Sequence, residues 1–133
     1  MSNRNRSAGH WLEREVVKKL KVIGFPFATT SRSESRSRDN QKIDIINTDE
    51  VENGRLPYNI QCKNTSTSLP YHSFLAEMPD DKNINVIIHN KTKKVNTQFR
   101  TIGQYAIMNS VDFYKLIEEL ETLKCKDYGK SSI

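Results

Sequence analysis

The spacing of apolar and polar residues changes several times along this chain, and each change marks an element. Leu12, Val16, Val17, Leu20 and Ile23 recur at helical intervals. They predict an amphipathic helix from a Ser7 cap to about Ile23, with Gly24 as its stop. Residues 25–30 read as a first strand, with Pro26 near its start or on an edge. Residues 42–47 and 56–64 read as second and third strands joined by a polar turn through 48–54. Polar residues 65–69 lead into a short helix beginning at Pro70 and including Tyr71, Phe74, Leu75 and Met78. Asn85-Val86-Ile87-Ile88-His89 has the continuous apolar character of a buried fourth strand, and residues 104–108 resemble a fifth. Ser110 then caps a closing helix with Phe113, Leu116, Ile117, Leu120 and Leu123 along one face. This order predicts an α/β (α+β) domain with a central mixed five-stranded sheet flanked by helices.

Two kinds of segment interrupt the apolar pattern. Residues 31–41 contain no apolar side chain at all; they set three arginines among serine hydroxyls, so they read as a mobile loop suited to gripping phosphates. Residues 91–100 form a basic connection and a candidate second phosphate-contacting segment. Residues 1–6 and 126–133 read as flexible tails. The whole, 133 residues, is the size of one domain, 1–133.

Charge sharpens this picture. The net charge is +5, yet residues 1–42 hold ten Lys or Arg against four acids, +6, and leave −1 for the remainder. A positive field concentrated at the front favours a polyanion, and nucleic acid is the commonest one in cytosol. Arg4, Arg6, Ser31, Arg32, Ser33, Arg36, Arg38 and Lys42 are the candidate contacts. No apolar run approaches the ~20 residues of a membrane span, and the polar, basic start lacks an apolar signal region. The chain reads as a soluble cytoplasmic protein. Cys62 and Cys125 lie far apart with no CxxC spacing, which suggests reduced thiols and gives no zinc signal.

Candidate chemistry lies where polar groups enter apolar runs. Glu13 falls within the helical stripe, one turn before Val16 and Val17, whereas Glu15 lies outside it beside Lys18 and Lys19. An inward carboxylate needs a cation or hydrogen-bond donors, so Glu13 is a site candidate and Glu15 an ordinary surface acid. Asp44 interrupts Ile43 and Ile45, and Gln61 and Lys63 alternate with Ile60 and Cys62. If the two strands pair, one carboxylate, one amide oxygen and one ammonium converge. His10, His72 and His89 show no ligand spacing, and no His and Asp arrangement supports a serine nucleophile. Trp11 falls roughly opposite the stripe, where it would meet a partner, DNA or the Ser/Arg segment. Tyr58, Tyr71, Phe74 and the later aromatics sit at core-like spacing and read as packing groups.

Glu13 on the first helix, Asp44 in the second strand and Gln61-Cys62-Lys63 in the third resemble the PD-(D/E)XK nuclease superfamily. Within it, Ser7-Ala8-Gly9-His10-Trp11-Leu12-Glu13-Arg14-Glu15 followed by Val16-Val17-Lys18-Lys19-Leu20 is similar to the first helix of archaeal-type and phage Holliday junction resolvases. The likeness covers residues 7–64, and to about 124 by element order alone. Ile43 stands where the family usually has proline, and Gln61 where it usually has Glu or Asp. The resemblance implies a restriction-endonuclease-like fold and a structure-selective DNA endonuclease acting on four-way junctions as a homodimer, in the cytoplasm, with a phage genome among the sources it suggests. It implies Glu13, Asp44, Gln61 and Lys63 as catalytic residues. Mg²⁺, with Mn²⁺ as a substitute, would be held by Asp44, the Gln61 oxygen, the Cys62 carbonyl and Glu13. Cleavage of linear or damaged duplex, a catalytically silent DNA-binding module and RNA binding by the Ser/Arg loop remain open alternatives.

Overall fold

The computed structural model describes residues 3–31, 41–47 and 56–131, with side chains for 9–31, 41–47 and 56–126. Its order is α1 (Asn3–Ile23), β1 (Ala28–Thr30), β2 (Ile45–Asn47), β3 (Tyr58–Thr65), α2 (Tyr71–Glu77), β4 (Ile84–Val95), β5 (Gln98–Met108) and α3 (Ser110–Ser131). The strands form one five-stranded sheet in the order β1-β2-β3-β4-β5. Only β3 and β4 run parallel; every other neighbouring pair is antiparallel. The fold is therefore α+β with a mixed sheet, as the element order implies. The parallel step requires a crossover, and α2 lies in it.

The apolar stripe of α1 builds the core. Leu12 and Val16 close against Ile45, Leu56 and Ile60, with Val17, Leu20, Phe25, Tyr58, Cys62 and Ile88 packed around them. The helix ends where Gly24 takes a positive φ of 143°. There the N–H groups of Gly24 and Phe25 both donate to the Leu20 carbonyl, at 3.1 and 2.9 Å. That pattern satisfies an end carbonyl, and Leu20 and Phe25 on either side of the turn both pack against the core.

Several boundaries differ from the sequence expectation. Helix α1 starts at Asn3, so residues 3–6 are not a tail, and α3 runs past Lys126 to Ser131. Strand β1 keeps only three residues, and β2 starts at Ile45, because Lys42 adopts a left-handed φ of 65° that breaks the strand before Asp44. The largest correction concerns residues 91–100. They are the paired ends of β4 and β5, turned by a two-residue loop in which Asn96 accepts a positive φ of 59°. Charged side chains hid this hairpin, because a ribbon exposed on both faces shows no apolar alternation.

The aromatic expectation also fails in part. Tyr58 and Phe74 are half-buried, but Tyr71, Phe99, Tyr105, Phe113 and Tyr114 are exposed. Among the described residues no helix is long and apolar enough to cross a membrane.

Candidate active site

The site begins at a break in strand register. Ile45 is the ladder partner of Ile60, yet the Asp44 N–H also donates to the Ile60 carbonyl at 2.8 Å. Two residues of one strand thus face one residue of the next, which re-aims a side chain as a β-bulge does. The Asp44 carbonyl is held by the Ser31 N–H at 2.8 Å. Fixed from both sides, Asp44 turns its Oδ2 onto the Cys62 N–H at 2.7 Å. The length is that of a charge-assisted bond, and it locks the carboxylate against the backbone between Gln61 and Lys63.

Strand β3 sorts its side chains by alternation. Ile60 and Cys62 face α1, where Ile60 belongs to the core and Cys62 packs against it. Asn59, Gln61, Lys63 and Thr65 project from the other face. Lys63 Nζ there sits 4.2 Å from the centre of the Phe74 ring, so α2 supplies the platform that holds the ammonium. Gln61 is only 4% exposed, and among the described residues its Oε1 has no hydrogen-bond donor. A buried acceptor left without a donor is costly and marks where a cation or donor would be accepted.

Glu13 reaches the sheet from the α1 face and is half-buried. Its position is felt at Cys62, whose thiol is pushed well above its ordinary range, first by burial, then by Asp44 and then by Glu13. Cys62 therefore stays a neutral thiol and is no nucleophile. The two carboxylates share a neighbourhood around Cys62, while the amide and the ammonium stand across the strand from it. Glu15 pairs with Lys18 at 3.2 Å on the surface.

Among the described residues no three His, Cys, Asp or Glu side chains gather as a metal-ligand set. Any cation site here depends on Gln61. Asp44, Glu13, the Gln61 oxygen and the Cys62 carbonyl are all hard oxygen donors, a set whose chemistry suits Mg²⁺, and the orphaned Gln61 oxygen is the feature that fits it.

The candidate phosphate-gripping residues divide. Ser31 is fully buried, and its N–H positions Asp44; Lys42 is exposed. Arg32, Ser33, Arg36 and Arg38 lie outside the described residues, as do the side chains of Arg4 and Arg6. Sequence reasoning missed the asparagines that frame β3. Asn59 donates to Asp81 Oδ1 at 3.0 Å and Asn85 Oδ1 at 2.8 Å, tying the start of β3 to the entry of β4. Asn90 donates to Asn64 Oδ1 at 3.1 Å and Thr101 Oγ1 at 3.0 Å and accepts from Gln104 at 3.1 Å. The clue was available, since Asn59 alternates in phase with Gln61 and Lys63.

Compared with known proteins, the chain matches no family model, no curated protein and no solved structure.

Proposed function

We propose that this protein is a metal-dependent DNA endonuclease of the PD-(D/E)XK type with a restriction-endonuclease-like fold, acting on branched DNA in the manner of a Holliday junction resolvase. One observation carries the reading: the Asp44 carboxylate is locked onto the β3 backbone at Cys62, the residue between Lys63 and Gln61, whose buried oxygen has no donor among the described residues. The mixed five-stranded sheet is compatible with that fold.

Asp44, Glu13 and the Cys62 carbonyl on one side of β3, with the Gln61 oxygen as the remaining donor the resemblance implies, are the groups that would hold Mg²⁺; the ion would supply an activated water and neutralise charge on a scissile phosphate. The protein's own groups do the rest. Lys63, steadied by Phe74, offers a positive donor to the charge that builds on phosphate oxygens and a route for the proton of the attacking water. Basic side chains hold the DNA backbone. Gln61 keeps an acceptor oxygen but removes one negative charge from the cage, so Gln61→Glu raises Mg²⁺ affinity in calorimetric titration. A four-way junction offers two symmetric strands to a two-fold dimer. The apolar stripe of α3, with Phe113, Ile117, Leu120 and Leu123 exposed, is a surface on which a second copy would close.

The test is cleavage of a labelled four-way junction with Mg²⁺, against linear duplex in competition. Activity that disappears in Asp44→Ala and Lys63→Ala supports the assignment; equal activity from those variants defeats it. A silent DNA-binding module is the second reading, favoured by Gln61 and by the placement of Glu13 across the strand from Lys63. Salt-sensitive DNA binding without cleavage in Mg²⁺ or Mn²⁺ would establish it.

A further inference from the structure

The sheet face opposite α1 carries, beyond Lys63, a row of side chains that the proposed cleavage chemistry does not use. Lys63 of β3 is in register with His89 of β4, and His89 with Tyr105 of β5. The row is polar at one end, filled in the middle and aromatic at the other. His89 is buried, with its ring nitrogen Nε2 2.9 Å from Thr65 Oγ1. Tyr105 is 57% exposed.

The tyrosine ring lies down. A Cβ built on Gly103, its same-face neighbour, would come within 2.7 Å of Tyr105 Cζ and 2.9 Å of Cε2. Only glycine therefore lets the ring rest across β5, leaving its outer surface turned to water. A flat, solvent-facing aromatic ring on a sheet offers a base a surface for stacking.

Cations continue from this ring along the hairpin. Lys91 pairs with Gly103 and Thr92 with Thr101, so Ile102 is the extra residue of a bulge, and beyond it Lys93 faces Arg100. Alternation keeps Lys91, Lys93 and Arg100 on the face of Tyr105. From the tyrosine row to the Lys93–Arg100 row is about 14 Å at ~3.4 Å per residue. Lys91 Nζ donates to the Ser66 carbonyl at 2.8 Å, while Lys93 and Arg100 stand opposite one another as like charges. Such a pair destabilises a ribbon, and residues 84–108 contain four Lys or Arg and no Asp or Glu to relieve it. An anion running along the hairpin would relieve it.

We infer that the Tyr105 ring over Gly103, with Lys63, Lys91, Lys93 and Arg100, is a binding site for an unpaired stretch of DNA, one base stacking on Tyr105 and the phosphates following the hairpin. The inference rests on the reading of the protein as DNA-binding and adds what its sheet recognises. A flat ring cannot reach the faces of bases stacked inside a duplex, so the preferred ligand has unstacked bases, as at a branch point or single-stranded end.

The experiment is fluorescence anisotropy of a short labelled oligothymidylate against blunt duplex of equal length, at low salt in EDTA. Binding is then read without cleavage. Single strands bind more tightly than duplex, Tyr105→Phe preserves the difference, and Tyr105→Leu weakens single-strand binding about ten-fold or more. Leucine still covers Gly103 but has no π face, so a merely structural tyrosine would tolerate it. Lys93→Gln with Arg100→Gln lowers the salt slope by about 0.7 per lost phosphate contact. On unmutated protein, an oligonucleotide carrying 5-iododeoxyuridine photocrosslinks to Tyr105, mapped by mass spectrometry, which decides the matter if the leucine variant does not fold. A crosslink confined elsewhere, duplex preferred to single strand, or Tyr105→Leu within about two-fold of the unmutated protein overturns the inference. Junction cleavage is scored separately: single-strand binding without cleavage sinks the nuclease reading alone, and cleavage without a Tyr105 contact sinks this one alone.

Discussion

The front of the molecule and its back use similar apolar patterns with opposite outcomes. In the front, the α1 stripe meets β2 and β3, and Leu12, Val16, Ile45 and Ile60 are buried together. At the back, the α3 stripe has the same helical spacing, yet Phe113, Ile117, Leu120 and Leu123 stay exposed, as do Phe99, Ile102 and Tyr105 on β5. The lesson is that an amphipathic stripe states a need for a cover and says nothing about which surface provides it. In α1 the cover belongs to the same chain. For α3 no described element of the chain supplies it, which is why a second copy enters the proposed function.

If this division is right, the largest effect belongs to the buried half. On the proposed nuclease reading, Lys63→Ala reduces junction cleavage about 10²- to 10⁴-fold in a single-turnover assay, with little change in thermal stability, because its ammonium rests on Phe74 at a half-buried position.

Truncating the two stripes sharpens the contrast. Leu12→Ala removes a fully buried side chain and costs about 2–5 kcal/mol in denaturant unfolding. Leu120→Ala costs no more than about 0.5 kcal/mol at concentrations where the chain is monomeric. On the proposed dimer, the unmutated protein associates with concentration in sedimentation velocity and Ile117→Lys with Leu120→Lys abolishes it; association that persists would place the contact elsewhere.

The join between the halves is polar. Asn90, only 1% exposed, bonds Asn64, Thr101 and Gln104, and Lys19 of α1 reaches Gln104 at 3.3 Å. Asn90→Ala leaves those partners short and destabilises by about 1–3 kcal/mol in chemical denaturation. An effect near zero would mean that the halves are held by backbone ladders alone.

The smallest expected effect is a pH dependence at His89. Burial, and then the charge of Lys91, hold its pKa below the ordinary 6.5. The unfolded chain therefore binds the proton more readily. His89 contributes stability that is fully present above 6.5 and is lost as pH falls from there through the lowered value. Thermal midpoints measured from neutral to mildly acid pH decline less steeply in His89→Gln.

Much of the site was legible as residue types and little of it as geometry. Asp44 stood out as a charge between buried isoleucines, and its carboxylate is indeed placed by β3. That Gln61 and Lys63 share a face followed from alternation. Alternation does not say which of the two faces meets α1; that Glu13 meets Cys62 across the strand from Lys63 follows only from the packing of Ile60 and Cys62 on that helix. The hairpin of β4 and β5 was not legible, since Lys91, Lys93, Lys94 and Arg100 fill positions where a half-buried strand would alternate. Nor was the tyrosine platform, because Gly103 and Tyr105 acquire meaning only when the ring lies across the glycine.

From the sequence alone came the order and type of the helices and strands, though not their extents, the mixed-sheet class and the set of polar groups lodged in apolar strands. These depend on periodicity, which is a local property of backbone geometry. The tertiary structure alone decided that Asp44 turns onto Cys62 at a slipped register, that Glu13 approaches from one face and Lys63 stands on the other, and that among the described residues the α3 stripe stays exposed. Those outcomes depend on which elements pack together and in what register, and such contacts join residues far apart in the chain.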